Sequence, residues 1–113
     1  MTINEYQMEC LRTEPDEAKI TKWTRLENGL MGLNGESGEA IDILKKVFFQ
    51  GHDLDDRHLA KELGDVAWYL AVSADALGYS LEDIFKMNIE KLRARYPDGF
   101  DPELSKNRRT GDV

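Results

Sequence analysis

One cysteine, three prolines and no long apolar run are the shortages that first narrow this sequence of 113 residues. A lone thiol, Cys10, cannot close an internal disulfide, so the chain depends on its core and is expected in a reducing cytoplasm. The prolines stand at Pro15, Pro97 and Pro102, which leaves residues 23–95 free of the residue that most often breaks helices. No segment approaches the ~20 apolar residues of a membrane span. The Met1–Tyr6 stretch has neither a basic cluster nor an apolar run, so no secretory signal and no membrane partner are expected. Basic residues are short as well: 15 Lys and Arg face 22 Asp and Glu, for a net charge of −7. That balance excludes a nucleic-acid polymer held by phosphate neutralisation. A polyanion can still bind if a divalent cation lies between.

What is present is helical. At this length the chain has room for one core. The spacing predicts a first helix near residues 4–12 and a second within 23–49, with Gly29, Gly32 and Gly35 able to interrupt it. Gln50-Gly-His-Asp-Leu-Asp reads as a turn, with Gly51 behind one helix and Asp53 or Asp55 capping the next. A third helix covers about 56–77, where Leu59, Leu63, Val66, Leu70, Ala74 and Leu77 recur at helical spacing. Ser80-Leu-Glu-Asp resembles a capping box that opens a fourth helix, which stops before Pro97. No strand pattern appears. The expected fold is all-α, an antiparallel four-helix bundle-like domain over 1–97. Residues 98–113 are polar and read as a flexible tail or an intersubunit arm.

Two segments share a local grammar, Glu36-Ser-Gly-Glu39 and Glu62-Leu-Gly-Asp65. Each sets carboxylates at i and i+3 on one helix face, and both pairs fall on the same side of their helix's apolar stripe. Paired antiparallel, the two helices would turn all four acids into one groove. Gly38 and Gly64, between the acids, suggest either a close approach of backbone or ligand, or simple easing of helix packing. Val66-Ala-Trp-Tyr-Leu-Ala-Val is apolar on every face, so it calls for burial all round and for a second copy of the chain. Asp65 then borders buried surface, where an unpaired carboxylate is costly. Spacing alone leaves a solvated acidic face open, since Glu14/Glu17, Glu39/Asp42 and Asp53/Asp56 repeat it.

Carboxylates without a thiolate cluster suit Mg²⁺, or Mn²⁺, rather than zinc. A di-iron bundle would need Glu-x-x-His pairs, and the i+3 partners here are Glu39 and Asp65. His52 and His58 read as surface or capping residues. Magnesium held by acids most often serves phosphoryl chemistry. No Walker-type loop is present, so basic side chains must help hold phosphates. Lys45 and Lys46 follow the first acid pair, and Asn88, Lys91 and Arg95 share one face of the fourth helix. Trp23, Trp68 and Tyr69 are rings able to stack on a base, with core packing the stronger reading for Trp68.

Glu36-x-x-Glu39, a 22-residue spacer and Glu62-x-x-Asp65 resemble the metal motif of the MazG-like all-α nucleoside triphosphate pyrophosphohydrolases. Gly32-Leu-Asn-Gly-Glu-Ser-Gly-Glu-Ala, Lys61-Glu-Leu-Gly-Asp-Val-Ala-Trp-Tyr-Leu and Asn88-Ile-Glu-Lys-Leu-Arg-Ala-Arg-Tyr-Pro-Asp-Gly-Phe extend the likeness, as does Asn4-Glu-Tyr-Gln. The resemblance implies Mg²⁺-dependent hydrolysis of a nucleoside triphosphate to monophosphate and pyrophosphate. It implies Glu36, Glu39, Glu62 and Asp65 as metal ligands, with Glu36 or Glu39 as general base. It also implies Asn88, Lys91 and Arg95 at the phosphates, Tyr69 in the nucleotide pocket, and a homodimer or tetramer. Gly35 stands where many relatives carry another acid, which bears on how water is activated. Within enzymes the rival substrates are phosphoribosyl-ATP, dUTP and dCTP. Outside enzymes the rival is a regulatory or assembly protein that keeps only the fold.

Overall fold

A computed structural model describes every residue from Met1 to Val113. The elements are α1 (Ile3–Leu11), a 3₁₀ turn (Asp16–Ala18), α2 (Lys22–Phe49), α3 (Asp56–Ala76), α4 (Leu81–Arg95) and α5 (Pro102–Lys106), with no strand. The all-α expectation therefore holds. No helix is long and apolar enough to cross a membrane. The chain divides into two compact units, Met1–Leu81 and Glu82–Val113.

In the first unit, α2 runs unbroken through the glycines that the sequence allows to interrupt it. A Cβ at Gly29 would lie 2.1 Å from the Ser73 hydroxyl, and one at Gly32 would lie 2.1 Å from the Tyr69 ring. Close packing at these two sites offsets the roughly 1 kcal/mol that each mid-helix glycine costs. Of the readings open for Gly38 and Gly64, a close approach of another helix is absent, because a Cβ at either meets nothing within 4 Å. Pairing of Gly29 with Ser73, Gly32 with Tyr69 and Glu36 with Asp65 descends along α3, so α2 and α3 lie antiparallel. Gly51, at φ +70°, turns the chain after α2, and Asp55 caps α3 by accepting the His58 N–H.

The core gathers at the C-terminal half of α3, not along its whole apolar stripe. Ala71 and Val72 are fully buried beside Cys10 and Leu81, with Tyr6, Leu11, Trp68 and Tyr69 packed around them. Burial on every face therefore applies only to this end, and a single copy leaves Leu63 58% exposed. Two polar devices close the unit. The Gln7 amide donates to the Ala71 and Tyr79 carbonyls and accepts from the Leu81 N–H, tying α1 to the end of α3. Arg25 on α2 donates to buried Glu14 at 3.0 Å and to Asp75 on α3 at 2.7 Å.

In the second unit, Asp101 caps α5, which opens on Pro102. Arg95 makes a two-pronged pair with Asp112 at 2.7 and 2.8 Å, and Arg109 donates to the Ala94 carbonyl. Residues 98–113, which composition reads as a flexible tail or intersubunit arm, thus carry a short helix and contacts back to the end of α4.

Candidate metal centre

Antiparallel pairing sets Glu36, in the middle of α2, against Glu62 and Asp65 on successive turns of α3. One carboxylate oxygen from each lies within 4.8 Å of the others. Asp65 is exposed while Glu36 and Glu62 are half-buried, so the burial cost expected for Asp65 falls on the two glutamates. The costly atoms are Glu36 Oε2 and Glu62 Oε2, both buried and without a hydrogen-bond partner. Two ionised carboxylates cannot donate to one another, so they must share a proton or a cation. The Glu36 carboxyl is accordingly pushed up to about 7, first because only its protonated form can hydrogen-bond to Glu62, then by burial and by the charges of Glu39 and Asp65. An all-oxygen donor set with orphaned anionic atoms fits a hard divalent ion such as Mg²⁺.

His58, read from the sequence as a surface or capping residue, is exposed at the start of α3 and also touches Glu62. Its Nε2 stands 3.2 Å from Glu62 Oε1, so one oxygen of Glu62 is steered by the ring while the other is turned into the cluster. The signal was an i, i+4 spacing on one helix face. Glu39 falls outside the three-oxygen group and lines an adjoining hollow of about 550 Å³ with Gly38, Lys46 and His58. Lys45 and Lys46 are engaged by Asp42 at 3.0 and 2.9 Å, which holds that carboxyl below its usual range.

A second hollow of about 330 Å³ is lined by Thr13, Glu36, Asp65, Trp68 and Tyr69. Tyr69, which the resemblance implies for a nucleotide pocket, lines this hollow with its ring seated on Gly32. Trp68 is not core alone: it packs against the core and also lines this hollow, edge-to-face with Tyr69 at 4.9 Å. Thr13 carried no signal in the sequence. Trp23 is 72% exposed at the start of α2, with the Lys22 ammonium over its ring. In the second unit, Asn88 and Lys91 are exposed on α4 and Arg95 is taken up by Asp112.

Residues 25–100 match the family model of the MazG nucleotide pyrophosphohydrolase domain. The chain belongs to the MazG family. The matched span contains both acid pairs and the Asn88–Arg95 face, whereas α1, Thr13 and Trp23 lie before it. Gene 37 protein of Mycobacterium phage L5 is 37% identical over 75 residues, 61% of this chain. The chain spans 64% of that relative's own length. No solved structure matches.

Proposed function

We propose that this MazG-family chain hydrolyses a nucleoside or deoxynucleoside triphosphate at the α–β linkage, releasing the monophosphate and pyrophosphate. The observation that carries this reading is the pair of donor-less oxygens on Glu36 and Glu62 beside an aromatic-walled hollow. Glu36, Glu62 and Asp65 would hold Mg²⁺, or Mn²⁺, with Glu39 contributing from the next turn of α2. When bound, the ion supplies positive charge against the phosphate oxygens and a more acidic water.

The chain's own groups do the rest. Glu39, outside the three-oxygen group, is the better-placed general base, because the Glu36 carboxyl is already shared with Glu62. The water oxygen bonds to phosphorus, its proton passes to the Glu39 carboxylate, and the bridging P–O bond breaks. The resemblance assigns Asn88, Lys91 and Arg95 to the phosphates, for which Arg95 must leave Asp112, and Tyr69 to the nucleoside. Trp23 offers a further ring.

The active form in this reading is a cytoplasmic homodimer or tetramer. Exposed Ile41, Phe48 and Leu63 support it, as does an apolar groove of about 390 Å³ along Ala40, Leu44, Leu59 and Val66. Light scattering tests the assembly. Incubating the protein with Mg²⁺ and a panel including phosphoribosyl-ATP, dUTP and dCTP tests the chemistry. Pyrophosphate is the expected product, and orthophosphate release without pyrophosphate sinks α–β cleavage.

A further inference from the structure

The hollow beside the acids has a wall that the metal chemistry does not use. Trp68 lies three residues beyond Asp65, so its ring is delivered next to the place where phosphates would be held. Its indole N–H donates to the Thr13 hydroxyl at 2.8 Å. That hydroxyl in turn donates to the Cys10 carbonyl at 3.1 Å, at the end of α1. The Trp68 edge is therefore clamped to a segment outside both acid-bearing helices. Tyr69 meets Trp68 at 85°, and two rings so placed make a corner. A volume of about 330 Å³ is at the lower end of ligand pockets, which run roughly 300–1,000 Å³. A planar heterocycle can lay a face against such a corner, and an indole is the largest stacking surface a protein offers.

We propose that Trp68 is the stacking wall for the nucleobase and that Thr13 is the positioning residue that fixes its ring. The proposal rests on the nucleotide reading above and adds a residue pair to it. Both polar groups of the clamp are spent on each other and on Cys10, so they orient the wall and leave recognition to the ring face. Nucleotide binding is thereby coupled to the Arg12-Thr-Glu-Pro15 segment, which Arg25 pins through Glu14.

The test uses Trp23→Phe protein, in which Trp68 is the sole tryptophan. Titration with a non-hydrolysable α,β-imido nucleotide and Mg²⁺ should quench and shift its emission. Trp68→Leu should weaken nucleotide binding and raise KM by about 10-fold, the scale of one lost base–aromatic stack. Trp68→Phe, which keeps a ring and the fold, should lose only a few-fold. Thr13→Val should raise KM with kcat unchanged and blunt the emission change, and Thr13→Ser should restore both. An unchanged KM in Trp68→Leu, or silent Trp68 emission on nucleotide addition, overturns the proposal. Pyrophosphate release persisting in that case leaves the hydrolase reading intact. Quenching by the analogue without turnover of any nucleotide would instead keep the stacking wall and remove the hydrolase.

Discussion

Glu36 on α2 and Glu62 on α3 each direct one carboxylate oxygen into shared buried space, and neither oxygen meets a donor. Such a pair is stable only when a proton or a cation lies between. An unfolded glutamate titrates near 4.5, whereas Glu36 keeps its proton to about 7. A raised carboxyl contributes stability that is complete below the unfolded value and is lost as pH rises through the folded one. Metal-free protein should therefore lose thermal stability between about pH 5 and about pH 8. Saturating Mg²⁺ should flatten that profile, because the ion takes the place of the proton. Calorimetric titration near pH 6 in buffers of different ionisation enthalpy should detect proton release on metal binding. Absence of any linked proton would mean that the ion does not displace the Glu36 proton.

Replacing Glu62 with Gln separates charge from shape. The amide can donate to the orphaned Glu36 oxygen, so the metal-free variant should gain about 1 kcal/mol in urea melts. Turnover should nevertheless fall by more than about 100-fold, beyond what loss of an outer partner costs. Wild-type activity in Glu62→Gln would end the metal-site assignment.

His58→Ala removes an outer partner only. Glu62 keeps its place but loses the ring that steers Oε1, so the Mg²⁺ concentration for half-maximal activity should rise about 10–100-fold. Excess Mg²⁺ should recover most of kcat. Failure of excess metal to rescue would show that the ring acts on chemistry and not on metal binding.

The all-α class and the acid pairs were legible because each rests on periodicity, which a sequence displays directly. Which acids converge was not, since that depends on the register of α2 against α3. The register is set by Gly29 against Ser73 and Gly32 against Tyr69, two contacts that no periodicity reveals. Position alone pointed to Gly38 and Gly64, between the acids, where the space is open. Thr13 was unreadable for a related reason: its role follows from where a loop lies after folding. The exposure of Leu63 reflects the same limit, because an apolar stripe says that burial is needed and not which chain provides it.

Glycine substitutions should expose that register. Gly32→Ala places a Cβ 2.1–2.5 Å from three Tyr69 ring atoms, so the ring must leave its seat. Overpacking of this kind costs about 1–3 kcal/mol, and KM should rise as the aromatic corner opens. Gly38→Ala meets nothing and gains helix propensity, so stability should rise by about 1 kcal/mol. Chemical denaturation of both variants checks the contrast, and equal effects would contradict the helix register.

The Arg25–Glu14 ion pair holds the segment that carries Thr13, so stability and the proposed nucleotide wall can be tested together. Glu14 is only 2% exposed in its side chain and depends on Arg25, which also reaches Asp75. Arg25→Ala would leave that carboxylate buried without its cation, at a cost of about 3–5 kcal/mol. Removing both charges, as Glu14→Leu with Arg25→Met, should cost far less, since apolar replacements of a buried pair are often neutral. Because Glu14 follows Thr13 in the chain, Arg25→Ala should also raise KM at temperatures where the protein is still folded. Urea melts paired with pyrophosphate-release kinetics measure the two effects separately. A stability loss with KM unchanged would uncouple the loop from the nucleotide pocket, whereas a parallel rise in KM would show that one buried pair supports both.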